Sequence, residues 1–237
     1  MQFPFHDEPC IELVETVVAD LKPYGVILNG DVTDCYEISD FSKNPMEKAD
    51  LLLEQRLSGN FMDRLAKHTT GEKYWLGGNH EDRLRRYIWK YAPALGVLPE
   101  LSFPKLMHIA DHGFTWQDYG KVLRLGKLRV VHGNKVLKHS GQTAKAHFDD
   151  FLTSVIIGHT HRLGEFYRTS LGDMHVAIEN GCLCRLDPEY VQNPNWQHGF
   201  SVVQVDDKTG LFSVQQIPIL KYRNKTICLY GKEKYAV

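Results

Sequence analysis

The chain has 237 residues, of which 43% are hydrophobic and 24% are charged, and its formal net charge is −1. This composition is typical of a globular protein with a sizeable core, and the near-neutral charge gives no support for a strongly basic nucleic-acid binder. No apolar run approaches the ~20 residues needed to span a bilayer, and the first residues lack the basic and apolar regions of a signal peptide. We therefore expect a cytoplasmic protein.

The first half of the chain alternates predicted helices and strands. Apolar spacing and the turn residues between the apolar runs predict helices over 8–21, about 45–68 and about 81–91, and strands over 25–29 and 72–76. Asn79 is placed to cap the third helix. Prolines break up residues 92–119, which we expect to form an irregular insertion. The order predicts an α/β layout with a mainly parallel first half.

The second half changes from this alternation to a run of strands. Residues 121–131 predict a strand pair that turns at Gly126, followed by a helix to about residue 151 and a buried strand over 154–157. Residues 163–230 alternate short β runs with turns, which predicts a second, mainly antiparallel sheet. No linker separates the halves, so we predict a single domain over residues 1–237.

Four strand ends share one pattern, in which a glycine lies beside the end of an apolar strand together with a side chain that can bind metal. They are Gly30-Asp31, Gly78-Asn79-His80-Glu81, His132-Gly133 and Gly158-His159-Thr160-His161. Sites in open α/β sheets form outside the carboxyl ends of the strands. Four such ends in order are hard to explain by packing, so we predict a metal site.

These residues match, in order, four of the five motifs of the calcineurin-like metallophosphoesterase superfamily: G-D-x-x-D, G-N-H-[DE], H and G-H-x-H. The chain resembles this superfamily over residues 3 to about 184, and residues 78–91 and 140–144 are most similar to phage-encoded members. The resemblance implies the α/β metallo-dependent phosphatase-like fold, a four-layer αββα sandwich of two mixed sheets flanked by helices.

The resemblance also implies a set of metal ligands. Asp31 would bridge two divalent transition-metal ions and would thereby take part in catalysis. Asn79, His132 and His159 would complete the ligands of one ion, and His161 would serve the other. Mn²⁺ is the first expectation for such a mixed oxygen and imidazole set, with Fe, Ni, Zn or Mg as alternatives.

His80 would not bind metal in this scheme. It would face the scissile phosphate as leaving-group acid or transition-state stabiliser, while the two ions clamp the phosphate and ionise a water for in-line attack. Arg83, Arg86 and Arg162 are candidate phosphate contacts, although Arg83 and Arg86 also fit an ordinary solvated helix face. Two acidic residues are expected beside the ligands rather than on the ions: Asp34 and Glu81.

The first motif of the superfamily, D-x-H, is not found. Aligned as D-x-H-x-P on Pro4, it places Gln2 at the histidine position and the aspartate upstream of Met1. The chain then either starts inside a longer protein, which we favour, or has a degenerate first metal site. In both cases the ion served by His161 has lost its usual aspartate, and His6 is a weaker candidate substitute.

The five cysteines include no C-x-x-C pair, and we expect them to be reduced core residues. Cys182-x-Cys184 could bind metal, but in a strand both residues would share a face without a partner pair. We therefore expect packing roles for both.

The predicted function is metal-dependent hydrolysis of a phosphodiester, with DNA or RNA as a candidate substrate. A phosphomonoesterase, including a protein phosphatase, is the enzymatic alternative. A catalytically impaired member that binds phosphate groups or a partner protein is the alternative from another class. We expect no membrane partner and, for a phage-encoded chain, the host cytoplasm as its location; the sequence does not indicate an oligomeric state.

Overall fold

The computed structural model describes residues 1–188 and 193–237. The chain divides into two units, of which unit 1 comprises Met1–His6 and Glu15–Tyr119 and unit 2 comprises Asp7–Val14 and Gly120–Val237. The single domain remains a prediction. Within the described ranges, no helix combines the length and the apolar character that a membrane crossing requires.

The helices lie close to their predicted positions. They are α1 (Glu8–Leu21), α2 (Leu51–Ala66), α3 (Asp82–Tyr91), α4 (Phe103–Leu106) and α5 (Gln142–Phe151), with 3-10 turns at Pro93–Leu95 and Pro99–Leu101. Helix α2 begins later than predicted because the Asp50 side chain caps it, accepting from the Leu53 N–H at 2.7 Å. The prediction that Asn79 caps α3 is wrong, because residues 79–81 form a turn and Glu81 occupies the cap position without a side-chain cap bond.

Thirteen strands are present in the described residues. They are β1 (Val26–Leu28), β2 (Lys73–Leu76), β3 (Thr115–Gln117), β4 (Leu123–Leu125), β5 (Leu128–Val131), β6 (Val155–Ile157), β7 (Leu163–Thr169), β8 (Met174–Asn180), β9 (Gly199–Val205), β10 (Phe212–Pro218), β11 (Leu220–Tyr222), β12 (Lys225–Tyr230) and β13 (Glu233–Ala236).

Unit 1 contains a parallel sheet of order β1-β2-β3, which confirms the parallel first half. Strand β3 comes from the stretch expected to be irregular. The buried Trp75 packs edge-on against Phe103 and Trp116, so the insertion covers an aromatic core instead of forming a loose loop. Because β1 and β2 are parallel neighbours, the residues that follow them, Asp31 and Asn79, leave the same edge of the sheet.

Unit 2 contains a five-stranded mixed sheet of order β4-β5-β6-β8-β7. Strands β5, β6 and β8 are parallel neighbours, and near their carboxyl ends Val131 pairs with Ile157 and Ile157 pairs with Glu179. The carboxyl ends of these three strands therefore line up. The core beneath them consists of small and branched apolar side chains: Val131, Ala144, Val155, Ile157 and Ala177.

The prediction that residues 163–230 form one second sheet is wrong, because these strands belong to three sheets. In the part of the chain that the structure describes, β7 and β8 join β4–β6, β9 pairs with β10, and β11, β12 and β13 form a separate antiparallel sheet. The alternation of short β runs could not distinguish these pairings, because β8 lies inside the mixed sheet and pairs in parallel with β6, which is not its neighbouring strand in the sequence. The mixed α/β class is confirmed.

Candidate functional site

In unit 1, Asp31 lies directly after β1 in a strained backbone conformation. Its φ is +50°, a left-handed value that costs energy for a residue other than glycine and that concentrates at functional sites. The His80 N–H donates to Asp31 Oδ1 at 3.1 Å. A Cβ added to Gly78 would collide with that same carboxylate. The glycine of the G-N-H-E stretch therefore makes the room in which Asp31 sits.

Glu81 holds the loop of Asp31 and the turn after β2 in place. Its buried carboxylate accepts from the backbone N–H groups of Asp31 at 3.0 Å, Val32 at 2.7 Å, Thr33 at 3.2 Å and Gly78 at 2.7 Å. Hydrogen bonds to a charged acceptor are stronger than neutral ones. Asn79, partly buried, lies in the turn that this carboxylate anchors. Glu81 was expected beside the ligands, but only the structure shows that it joins two loops.

His80 is buried and bonded through both ring nitrogens. Its Nδ1 lies 3.1 Å from the Asp34 carbonyl oxygen, which can only accept, so the neutral ring carries its proton on Nδ1. Its Nε2 then accepts from the Gln2 amide at 3.1 Å. Burial on its own lowers the pKa of His80, but the negative charges of Asp31 and Asp34 outweigh it and raise the pKa above its ordinary value.

The arginines after His80 divide into one that contacts it and one that does not. Arg83 Nη1 donates to the Asp34 carboxylate at 2.9 Å, and its Nη2 lies 3.3 Å from His80 Nε2. Arg86 instead pairs with Asp82 at 2.7 Å on the exposed face of α3. Asp34 lies beside the site as expected, since its carboxylate contacts both His80 and Arg83.

The insertion brings Tyr119 to the same region, which sequence reasoning missed. Burial, followed by the charge of Asp31, raises the pKa of Tyr119, so its phenol stays protonated. Tyr119, Trp116 and α3 line a cleft of about 270 Å³ in unit 1. No motif indicated Tyr119; a polar aromatic residue at the end of an insertion was the only available signal.

His6, the candidate substitute ligand, contacts residues close to it in the sequence. Its Nδ1 lies 3.1 Å from the Pro4 carbonyl oxygen, and its ring packs on Phe3 with centroids 4.5 Å apart. Gln2, at the position of the missing histidine, is buried. Its side chain is directed to His80, as described above.

In unit 2, His132 follows β5 and His159 follows β6. Their rings meet edge-on with centroids 5.3 Å apart. His159 and His161 have φ values of +63° and +59°, so both histidines of the G-H-T-H stretch take left-handed conformations. Two strained residues so close together indicate a loop whose shape serves the side chains it presents.

Glu179 supports this loop from the end of β8. The buried carboxylate accepts from the Thr160 hydroxyl at 2.9 Å and from the Thr143 and Ala144 N–H groups at 3.1 and 3.2 Å. It therefore joins the G-H-T-H loop to the first turn of α5. The sequence offered no signal for this role, because Glu179 lies in an ordinary strand pattern.

Arg162 is the third expected phosphate contact. One of its terminal nitrogens donates to the Leu137 carbonyl oxygen, and its Nε is buried without a hydrogen-bond partner in the described residues. Part of the Arg162 guanidinium is therefore hydrogen-bonded within the protein.

His161 lies beside two cysteines. The ring of His161 and the sulfurs of Cys182 and Cys184 offer ligand atoms that all lie within 4.8 Å of one another. The expectation that the cysteine pair has no partner is therefore wrong, because these cysteines follow β8 and not a strand of their own. A hydrogen bond from Cys182 lowers the pKa of Cys184 well below its ordinary value, and the same bond raises the pKa of Cys182.

The expected ligand residues fit divalent transition metals. A carboxylate, a primary amide and imidazoles are donors that such ions accept. In each unit the local packing fixes the position of these donors at the strand ends. In unit 1 the missing side chain of Gly78 leaves room for the Asp31 carboxylate, and in unit 2 the rings of His132 and His159 pack edge-on.

The comparisons with known proteins agree with this geometry. The sequence model of the family described as calcineurin-like phosphoesterase matches residues 5–163. A Gene 54 protein of Mycobacterium phage D29 is 29% identical over 220 residues, which cover 86% of each chain. A Gene 54 protein of Mycobacterium phage L5 is 28% identical over the same length and share. The chain belongs to the calcineurin-like phosphoesterase family.

Proposed function

We propose that this chain hydrolyses a phosphodiester and that its substrate class is DNA or RNA. Family membership itself establishes the coarser statement, a phosphoesterase of a family that binds divalent metal ions. We further infer, with phage proteins among its relatives, that it acts in the cytoplasm of an infected host.

The observation that supports a nucleic-acid diester is the outer face of α3, which follows His80 directly. This face carries basic and aromatic side chains in alternation, and Arg85 stacks on Trp89 with 4.9 Å between guanidinium and ring centroid. Exposed aromatic rings stack on bases, and arginines contact phosphates without reading sequence. The exposed residues are Arg85, Arg86, Tyr87, Trp89, Lys90 and Tyr91.

The residues that would hold metal are Asp31, Asn79, His132, His159 and His161, and Mn²⁺ is the ion proposed for all of them except His161. Bound ions of this kind polarise a phosphoryl oxygen and lower the pKa of a water. The raised pKa of His80 favours its protonated form, which can give the Nε2 proton to the leaving oxygen while Asp34 holds the ring beside Arg83. Arg83 supplies positive charge at the same place, where a phosphate would carry its negative charge.

The alternative of binding without turnover has one observation in its favour. The Gln2 amide donates to His80 Nε2, the nitrogen that a leaving group would need. If this bond persists with substrate present, the chain would bind phosphate groups and release them unchanged. Hydrolysis of a monoester remains the enzymatic alternative, since the cleft in unit 1 would also admit a single phosphate.

The test compares three substrates: a single-stranded oligonucleotide, a bis-aryl phosphodiester and an aryl phosphomonoester. Each is incubated with the chain in Mn²⁺ and in a chelator, and Asp31→Asn protein prepared in the same way controls for contaminating nucleases. We expect Mn²⁺-dependent cleavage of both diesters, with a higher kcat/KM for the oligonucleotide. Faster cleavage of the monoester would contradict the diester proposal. Binding of the oligonucleotide without cleavage of any substrate would establish the binding alternative.

A further inference from the structure

We propose that His161, Cys182 and Cys184 form a binding site for a thiophilic cation, with Zn²⁺ as the ion it takes. The site lies entirely within unit 2. It goes beyond the proposed function, because it requires only that an ion is bound and does not depend on hydrolysis of any ester.

The sheet explains why these three residues meet. Strands β6 and β8 are parallel neighbours, with Ile157 opposite Glu179 at their ends. His161 leaves the carboxyl end of β6 and the two cysteines leave the carboxyl end of β8. Parallel neighbours release their following residues at the same edge, so residues distant in sequence converge there.

The distances suit a tetrahedral ion. Cys184 Sγ lies 3.7 Å from His161 Nδ1, and the three ligand atoms all lie within 4.8 Å of one another. With metal–sulfur bonds of about 2.3 Å and metal–nitrogen bonds of about 2.0 Å, tetrahedral geometry places ligand atoms roughly 3.5–3.8 Å apart. No pair of ligand atoms therefore needs to close by more than about 1.3 Å. Three protein ligands leave one position of the ion to a non-protein ligand.

The surroundings favour a bound ion over simple packing. All three side chains are buried, and the ring of Trp196 covers His161 edge-on with centroids 4.3 Å apart. The cysteines are not joined in a disulfide. Two thiolates and an imidazole select Zn²⁺ or similarly soft ions over Mn²⁺ and Mg²⁺, which prefer oxygen ligands. Burial beneath an aromatic ring also limits the exchange of the ion with solvent.

A second group in unit 2 has similar residue types but a different environment. Asp7, Cys10 and His198 also bring ligand atoms within 4.8 Å of one another. However, the Lys221 ammonium lies 2.7 Å from Asp7 Oδ1 and already supplies a positive charge there. His198 Nε2 is also engaged, since it lies 2.7 Å from the Cys184 carbonyl oxygen. This group therefore serves as the internal control.

The experiment titrates the reduced, metal-free chain with Cd²⁺ and follows the ultraviolet charge-transfer band that thiolates give with this ion. We expect one equivalent to produce the band, Zn²⁺ to abolish it, and an excess of Mn²⁺ to leave it unchanged. Cys182→Ser and Cys184→Ser should each weaken Cd²⁺ binding by at least about 10- to 100-fold, the range that losing even a hydrogen-bond partner of a ligand costs. Cys10→Ser and Cys228→Ser should leave the band and the affinity as they are.

A second measurement uses the unaltered chain, so that a variant that misfolds does not decide the result. Co²⁺ added to the metal-free protein should give the intense visible bands of a tetrahedral ion with thiolate ligands. Absence of these bands together with absence of the Cd²⁺ band would overturn the proposal. So would a Cd²⁺ band that survives in both Cys182→Ser and Cys184→Ser, or one that Cys10→Ser removes. Hydrolysis assays test the proposed function independently of this site, because a chain that hydrolyses no ester can still bind the ion here.

Discussion

In both units a buried glutamate holds the loop that carries the expected metal ligands, but the types of ligand differ between the units. In unit 1 the carboxylate of Glu81 accepts four backbone N–H groups and holds the loop of Asp31. In unit 2 the carboxylate of Glu179 accepts two backbone N–H groups and the Thr160 hydroxyl, and holds the G-H-T-H loop. Each glutamate is buried, and its carboxylate accepts hydrogen bonds from groups of the protein. Backbone strain at Asp31, His159 and His161 is thus stabilised by an internal anion in both units.

The ligands that these loops carry differ. Unit 1 offers oxygen donors and a histidine enclosed by carboxylates and an arginine, a polar setting for a phosphate. Unit 2 offers imidazoles, and beside His161 it adds two thiols. The difference teaches that the support of a loop and the metal preference of its side chains are separate properties. A family motif can therefore keep its backbone while a neighbouring segment changes the ion that one of its histidines prefers.

Among the ligand and anchoring residues of the two units, we expect the largest effect from the oxygen donor Asp31 of unit 1. Asp31→Asn keeps the size of the side chain but removes the charge that a divalent ion needs. We expect kcat/KM for diester hydrolysis to fall by roughly 10²–10³-fold, the cost of losing one electrostatic group at a reacting centre. Asp173→Asn, a neutralisation at an exposed turn, should have no effect. Equal activity of the two variants would contradict a metal role for Asp31.

The next effect compares the two anchoring glutamates directly. Glu81→Gln removes a charge that accepts four N–H groups, and we expect it to lower the free energy of unfolding by about 2–3 kcal/mol. Glu179→Gln should cost less, because this carboxylate accepts two N–H groups and one hydroxyl. Urea unfolding followed by tryptophan fluorescence measures both, with the exposed Glu100→Gln as the control. A larger loss from Glu179→Gln would reverse the comparison.

A third buried glutamate, Glu54, lies in unit 1 and should make stability depend on pH. Glu54 accepts from the Cys35 and Tyr36 N–H groups at 2.7 and 3.1 Å, and burial raises its pKa from 4.5 to about 8. The folded chain therefore keeps a proton that the unfolded chain releases. The stabilisation is fully present below pH 4.5 and is lost as the pH rises to about 8, at up to about 1.4 kcal/mol per pH unit.

Urea unfolding across this pH window tests the assignment. Glu54→Gln cannot lose the proton, so its stability should fall less with pH than that of the unaltered chain. Parallel pH profiles of the two proteins would show that Glu54 does not titrate in this range.

The smallest expected effect concerns the outer face of α3. Trp89→Ala removes an exposed ring that would stack on a base, a contact worth about 1–3 kcal/mol. We expect KM for the oligonucleotide to rise at least about 5-fold, while KM for the small aryl diester stays the same. The exposed Tyr24→Ala of the same unit is the matched aromatic control. An equal rise for both substrates would mean that Trp89 supports the fold and not the substrate.

The strand-end motifs could be found in the sequence because each depends on local features: an apolar run, a glycine and a metal-competent side chain. The parallel order of β1 and β2 followed from the helix between them. Long-range pairing was not available in this way. Nothing local revealed that β8 pairs with β6, and that pairing alone brings Cys182 and Cys184 to His161. The roles of Glu179 and Tyr119 depend on the same kind of distant contact.

The most direct test of the account is the His80→Ala variant, assayed for turnover and for bound metal in the same preparation. We expect His80 to bind no metal, because its Nδ1 is bonded to Asp34 and its Nε2 lies beside Gln2 and Arg83. We predict that Mn²⁺-dependent hydrolysis of the aryl diester falls by roughly 10²–10⁴-fold, the usual contribution of a positioned acid, while the metal content stays that of the unaltered chain. Loss of metal together with activity would make His80 a ligand, and unchanged turnover would remove it from catalysis; either result would contradict the account.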